Sequence, residues 1–375
     1  MEGEIITFGK VWLSAYASLS YCYVMAKFVP RGLPRLAALI PVVFLFLYLP
    51  LNLSSVHLGG TTAFFLAWLA NFKLLLLAFA KGPLSADPSI SLPRFLALAC
   101  LPIQNSQNAP PPLPGSKSPR KSHLNYALKG LLLGLLVRAH DYSESMHPRL
   151  ILFLYSFHIY LCLEIILAVA AALARAVLGL ELEPQFDEPY LATSLQDFWG
   201  RRWNIMVTRI LRPTVYEPVL RAAARVVGRR WAPLPAVMGT FAVSAAMHEL
   251  IFYYLGRLRP SWEITWFFVL HGACLTVEIA LKRALTGRFR LPRAVSGPLT
   301  VGFVMITGFW LFFPPLLRFK ADVRAFEEYA AVGAFVMNVG STALNLKTII
   351  NATDPVLRSL HFYKYNFTNN SVRRF

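Results

Sequence analysis

LPAVMGTFAVSAAMHELIFYYL, Leu234–Leu255, decides the fold class. As a helix rising ~1.5 Å per residue it is long enough to cross the ~30 Å hydrocarbon core of a bilayer. Among its residues only His248 and Glu249 carry or gain charge near neutral pH. Runs of the same kind recur along the chain: Val11–Met25, Leu36–Leu53, Thr61–Ala80, Leu124–Ala139, Leu150–Leu180, Trp262–Ala284, Pro298–Phe319 and a weaker Glu327–Ile350. Of the 375 residues 56% are hydrophobic and 15% charged, where soluble domains carry about 25% charged residues. The expectation is an all-α, polytopic integral membrane protein with about eight transmembrane helices, between roughly six and ten, because lipid admits only helices or closed barrels. One membrane domain is expected to fill residues 1–375.

Around these runs the polar stretches are short. Gln104–His123 (QNSQNAPPPLPGSKSPRKSH) lacks apolar periodicity and reads as a flexible exposed loop, and residues 351–375 form a polar tail. Leu92–Ile103 is too short to span and reads as interfacial or re-entrant. Lys73 lies inside the third run, where its stem can carry the ammonium towards the headgroups. The opening MEGEIITFGK has no basic n-region, so the first run reads as a retained span rather than a cleaved leader.

Lys and Arg number 37 against 19 Asp and Glu, a net charge of +18. The basic residues sit in connections and at the ends of apolar runs, as in Lys27–Arg35 and Lys282–Arg293. That interrupted pattern is a poor phosphate track, so no nucleic-acid partner is expected. It fits positive-inside topology, anionic membrane lipids or a phosphate-bearing substrate. Arg209–Trp231 reads as a basic amphipathic helix lying at the interface. The four cysteines lie in apolar segments without CxxC spacing, which predicts neither a disulfide framework nor a metal site.

Between two apolar blocks stands SLQDFWGRRWN, Ser194–Asn204. Placed on one helix over Ser194–Thr208, Leu195, Phe198, Trp199, Trp203 and Met206 form an apolar stripe. Asp197, Gly200, Arg201, Asn204 and Thr208 share another face, with Asp197 and Arg201 an i,i+4 pair. A carboxylate, a guanidinium, a bare glycine and an amide on one face look like a site wall. An amphipathic helix anchored at the interface by tryptophans carries the same pattern.

His158, His248 and His271 all lie in apolar runs, where ionisable groups face a cavity or a partner. Desolvation disfavours the imidazolium, so each is expected to be neutral with one nitrogen able to accept a proton. Glu249 projects about 100° away from His248 on a helix and is not its obvious orienting carboxylate. Glu278 follows His271 at i+7, on one face, as a structural or relay pair. Composition alone does not choose among the three histidines.

The two stretches together do point to a family. SLQDFWGRRWN followed about forty residues later by AAMHELIFYY resembles the membrane-bound O-acyltransferase superfamily, and within it the plant wax synthase (long-chain-alcohol O-fatty-acyltransferase) branch. FDEPYLATS (Phe186–Ser194) and RPSWEITWFFVLHG (Arg259–Gly272) are of the same type. The likeness extends over most of the chain and is weakest in Gln104–His147 and after Phe319. It implies a multi-helix membrane domain with a tunnel, an endoplasmic reticulum location, cytosolic acyl-CoA as one substrate and a lipophilic alcohol from the bilayer as the other. By resemblance His248 occupies the position of the catalytic histidine and Asn204 that of the second active-site polar residue.

Ester formation from a thioester needs a base for a weakly acidic hydroxyl, and a buried neutral imidazole contributes roughly 10² to 10⁴ in rate. An amide such as that of Asn204 would stabilise charge on the thioester oxygen. Because thiolate leaves readily, no acyl-enzyme and no cofactor are expected. Asp197, Trp199, Gly200, Arg201, Arg202 and Trp203 are the candidates for holding acyl-CoA or lining the tunnel, the arginines through phosphate contacts. His271, Glu278 and Glu249 stand behind them as secondary candidates. The expected product is a wax ester, with a sterol or diacylglycerol acceptor as the alternative. A lipid transporter or lipid-binding protein using His248 and Glu278 as a relay is the non-enzymatic reading, against which the lack of an evident repeat argues.

Overall fold

The computed structural model describes residues 2–85, 87, 89–101, 123–179, 185–285 and 291–353. Among them there is no strand, as expected for an all-α membrane protein. Residues 2–322 form one compact unit and a second begins at Val323. Six described helices are long and apolar enough to cross a membrane: Leu33–Asn52, Val56–Ala78, Pro148–Ala176, Gly228–Gly256, Glu263–Ala284 and Arg293–Arg318. The loop expected over Gln104–His123 lies almost wholly outside the described residues, as do parts of the polar segment before Tyr190 and of the basic loop Lys282–Arg293.

Helix α1, Glu2–Phe28, exceeds the run expected for it. Its serines are satisfied within the helix: Ser14, Ser18 and Ser20 each donate to the carbonyl four residues back. Helix α2 is Leu33–Tyr48 and α3 is Val56–Ala78. Glu4 on α1 accepts hydrogen bonds from the Ser54 and Ser55 amides (2.7 Å each), fixing the start of α3. Helix α3 is the spine of the unit. Its most apolar window is 78% buried, where the other candidate spans reach between 22% and 33%. The all-round apolar AFFLAWLA segment, Ala63–Ala70, makes that burial possible.

Leu92–Cys100, too short to span, forms α4, and its Phe95, Leu98 and Ala99 pack with Leu19, Leu39, Phe46 and Leu74 in one core cluster. Lys73 does not reach for headgroups. It is buried, and its ammonium donates to the carbonyls of Leu98 and Leu101, each 2.6 Å away. A cation there complements the exposed carbonyls at the C-terminus of α4. Helix α5, His123–His140, leans on α6, Pro148–Leu178. The buried Lys129 of α5 meets Glu164 of α6 at 2.7 Å. Pro148 opens α6, and Gly179 closes it in the left-handed conformation, φ 63°.

After the motif segment come α7, Ile205–Leu211, and α8, Glu217–Val226. The stretch Arg209–Trp231 is therefore not one interfacial helix; a π-turn at Arg212–Tyr216, opened by Pro213, and Gly228 at φ 77° divide it. Three long helices follow: α9, Pro233–Gly256; α10, Glu263–Ala284; and α11, Arg293–Arg318. Helix α12, Ala321–Thr353, closes the described chain.

Two devices position α9. Tyr254 donates to the Leu47 carbonyl (2.5 Å), and Arg257 donates to the carbonyls of Pro50, Leu51 and Leu53 (3.3, 2.8 and 3.1 Å). Ala63 and Ala67 of α3 pack against Tyr254, small residues that let the two helices approach closely. Between α9 and α10 the approach is closer still, because a Cβ on Gly272 would sit 2.9 Å from Phe241 Cβ and 3.2 Å from Met238 Sδ. Glu249 of α9 accepts from both the amide and the hydroxyl of Thr265 (3.0 Å each), which caps the start of α10.

Candidate active site

The motif is not the continuous helix its periodicity suggests. A short turn, Leu195–Asp197, passes into a π-helical turn, Phe198–Arg202. Trp203 is then extended, and Asn204 is left-handed at φ 40° and ψ 65° before α7 starts. In a π-turn the facing residue is i+5, not i+4. Accordingly Asp197 pairs with Arg202 (2.8 Å) rather than with Arg201. Arg202 also donates to the Asp187 and Glu188 carbonyls (3.0 and 3.4 Å), while the Asp187 amide donates back to the Arg202 carbonyl (2.9 Å). Gln185 receives the Ile205 amide on its backbone (2.9 Å) and the Met206 amide on its side chain (3.1 Å). Arg202 is thus committed to holding the segment around Asp187 against the motif. Arg201 is exposed, with no partner among the described residues, and Gly200 faces open space.

Two carboxylates fix the motif's entry. Asp197 accepts from the Thr193 amide (3.3 Å), and Ser194 Oγ accepts from the Asp197 amide (3.1 Å). Glu278 of α10 accepts from the amides of Leu195 (2.8 Å) and Gln196 (3.4 Å) and from Lys282 (2.6 Å). The expected pairing of Glu278 with His271 is absent. Glu278 clasps the motif, whereas His271 donates from Nδ1 to the Phe267 carbonyl (2.8 Å) and has Thr307 Oγ1 3.3 Å from Nε2. Glu249, occupied by Thr265, is likewise a helix cap.

His248 differs from His271 at one atom. Its Nδ1 lies 2.8 Å from the Ser244 carbonyl, which can only accept, so Nδ1 carries the proton. Nε2 is left with a lone pair and no hydrogen-bond partner among the described residues. The ring is enclosed by aromatics: Phe268 at 4.3 Å, Trp68 edge-to-face at 5.1 Å and Phe312 at 6.4 Å between centroids. His158 stands on α6.

Ring contacts connect this imidazole to the motif. Phe268 lies 6.0 Å from Trp199, Trp199 lies 6.5 Å from Trp203, and Asn204 follows in sequence. Trp199 also touches Phe241 (5.6 Å) and His271 (5.4 Å), and Trp203 stacks on Phe198 at 5.5 Å. Along this path three buried polar atoms have no partner among the described residues: Trp68 Nε1, Trp199 Nε1 and Asn204 Oδ1. Unsatisfied groups of this kind are rare in native interiors. Three π-turns, Ala63–Ala70, Phe198–Arg202 and Gly308–Phe312, supply Trp68, Trp199 and Phe312, and such turns concentrate at functional sites. Among the described residues no group of three or more His, Cys, Asp or Glu is placed to hold a metal ion.

Sequence reading missed Trp68, Phe312 and Gln185. Nothing in an apolar run marks one ring as facing a histidine on another helix. The i,i+4 relation of Ser244 and His248 was legible, but a backbone carbonyl leaves no trace in sequence.

Comparison with known proteins bears on the same segment. Residues 182–270, which contain both the motif and His248, match the profile of the Membrane bound O-acyl transferase family. An acyl-CoA–sterol O-acyltransferase of Arabidopsis thaliana is 50% identical over 89% of this chain and 97% of its own length. The long-chain-alcohol O-fatty-acyltransferase of Simmondsia chinensis is 50% identical over 88% of this chain and 95% of its own. A probable long-chain-alcohol O-fatty-acyltransferase of Arabidopsis thaliana is 47% identical, covering 84% and 91%.

Proposed function

The chain belongs to the membrane-bound O-acyltransferase family, in its wax synthase branch, and from that premise we propose that it esterifies a long-chain fatty alcohol with the acyl group of a long-chain acyl-CoA. It is a multi-pass membrane enzyme, and the transporter reading falls with that membership. The endoplasmic reticulum membrane is the proposed location.

One observation carries the mechanism: His248 Nε2 has no hydrogen-bond partner among the described residues, in an imidazole whose tautomer is fixed by the Ser244 carbonyl. Nε2 takes the proton of the acceptor hydroxyl as its oxygen attacks the thioester carbon. Asn204, whose Oδ1 has no partner among the described residues, donates from its Nδ2 amide to the carbonyl oxygen as negative charge gathers there. The tetrahedral species collapses by losing CoA thiolate, which recovers the proton from the imidazolium. No acyl-enzyme is formed and no cofactor is required, since the thioester itself is the activated group. The aromatic shell of Trp68, Phe268 and Phe312 keeps water from competing with the alcohol. Arg201, exposed and without a partner among the described residues, is the motif's contact for the CoA phosphates.

A sterol acceptor is the second reading, favoured by the 50% identical acyl-CoA–sterol O-acyltransferase. Microsomes from a host without neutral-lipid synthesis, expressing wild type or His248→Ala, would receive labelled acyl-CoA with fatty alcohol, sterol or diacylglycerol. Wax ester from wild type and none from His248→Ala at equal abundance is the expected result. Sterol ester in its place changes the acceptor and keeps the mechanism, whereas full activity in His248→Ala removes His248 as the base.

A further inference from the structure

Trp68 belongs to the site but not to the motif. It lies on α3, whose apolar run offered no functional signal, and is 1% exposed. Its indole ring meets the His248 ring edge-to-face at 5.1 Å, with planes at 82°. Its Nε1–H has no acceptor among the described residues. An indole nitrogen is a donor only, so a lone-pair-bearing atom must answer it, and a buried indole normally finds one. The π-turn Ala63–Ala70 and the packing of Ala63 and Ala67 on Tyr254 bring this ring to α9. Two independent features therefore single out Trp68: a buried donor without an acceptor among the described residues, and contact with the imidazole whose Nε2 has no hydrogen-bond partner among them.

We propose that the Trp68 indole N–H donates a hydrogen bond to the hydroxyl oxygen of the acceptor and so orients it for attack. The proposal rests on the assignment of His248 as the base. An alcohol oxygen has four tetrahedral directions, and each then has an occupant. One is the alkyl carbon. The O–H points to His248 Nε2, one lone pair accepts from Trp68, and the other faces the thioester carbon. In the step the O–H bond breaks and a C–O bond forms, the C–S bond breaks, and the proton passes by way of the imidazole to the thiolate. Trp68 neither gains nor loses a proton. It removes the rotational freedom of a hydroxyl that would otherwise present its lone pair to the thioester only part of the time.

The test compares oxygen with sulfur. Full-length wild type and Trp68→Phe in detergent are assayed with the alcohol the wild type esterifies and with the thiol of the same carbon skeleton, read as acceptor or as competitive inhibitor. Thiol sulfur is a weak hydrogen-bond acceptor. Trp68→Phe is expected to lower kcat/KM for the alcohol about 5- to 10-fold, the size of one hydrogen bond, with KM for acyl-CoA unchanged. The thiol is expected to behave alike in both proteins, within roughly twofold. Equal losses with oxygen and sulfur, or no loss with the alcohol, would overturn the proposal. Should Trp68→Phe fail to accumulate, benzothienylalanine at position 68, which keeps the ring shape and exchanges N–H for sulfur, makes the same comparison. His248→Ala runs in parallel. If it stays active, the underlying assignment fails; if it is dead while Trp68→Phe is unaffected, only the role of Trp68 fails.

Discussion

Asn204 sits at a strained backbone position and is also the proposed oxyanion donor, and three substitutions separate the two roles. Its backbone is left-handed, φ 40° and ψ 65°, at the break between the π-turn and α7. A side chain with Cβ in that region costs roughly 1–2 kcal/mol, which asparagine eases through its short polar group and glycine avoids. Asn204→Gly therefore keeps the turn and removes a buried oxygen that has no partner among the described residues. Asn204→Ala restores the Cβ without relief and is expected to lose about 1 kcal/mol of stability. If the amide stabilises the thioester oxyanion, each variant also loses about 10²- to 10³-fold in kcat. Thermal unfolding of purified protein in detergent, beside initial rates of labelled ester formation, reads the two effects independently. Asn204→Gly should melt with the wild type and be slow; Asn204→Ala should melt lower and be equally slow. Asn204→Asp tolerates the turn but sets a carboxylate against the developing anion, so it should be at least as slow as Asn204→Gly. A glycine variant with wild-type turnover would refute the reasoning, because the residue would then serve its backbone alone.

The neighbouring arginines should behave oppositely. Arg202→Gln breaks the bond to Asp197 and the carbonyl contacts at 187 and 188 and is expected to lower the melting temperature, whereas Arg201→Gln should melt normally and raise KM for acyl-CoA, as kinetics on both variants will check. Glu278→Ala frees the amides of Leu195 and Gln196, and hydrogen exchange of residues 194–204 should quicken with a fall in kcat; Glu278→Gln, still an acceptor, should lose less. Gly272→Val drives a side chain into Phe241, which backs onto Trp199 at 5.6 Å; expression and melting should fall by an amount typical of overpacking, about 1–3 kcal/mol, and a wild-type melt would show that α9 and α10 separate easily.

Much of this was legible in sequence, for identifiable reasons. Apolar runs marked most of the long helices to within a few residues, as at Leu234–Leu255 against Pro233–Gly256, whereas α1 starts well before the run read for it, at Glu2 and not Val11. The pairing of SLQDFWGRRWN with a histidine in an apolar helix pointed to the family that the comparisons show, and to the segments proposed to carry the chemistry. What failed was local geometry. A π-turn has no composition of its own, so Asp197 was matched with Arg201 when the extra residue per turn brings Arg202 beneath it. Lys73 and Glu278 were misjudged because their partners are backbone groups at helix ends, the carbonyls of Leu98 and Leu101 and the amides of Leu195 and Gln196. Helix ends attract charge of the opposite sign whatever their side chains are. Trp68 escaped because its meaning depends on which helix lies opposite.

The grip of Lys73 on α4 also sets an order of events during synthesis. Its two carbonyl partners lie 25 and 28 residues further along the chain. When α3 first leaves the ribosome, the lysine has nothing to bind, and a lone ammonium within a lipid-exposed helix is penalised by about 2.5–3.5 kcal/mol on insertion scales. The apolar residues around it in α3 offset that cost on entry, and it is removed only when α4 forms and offers its two carbonyls. The most deeply buried of the long helices thus has its one interior cation satisfied by a neighbour of only nine residues.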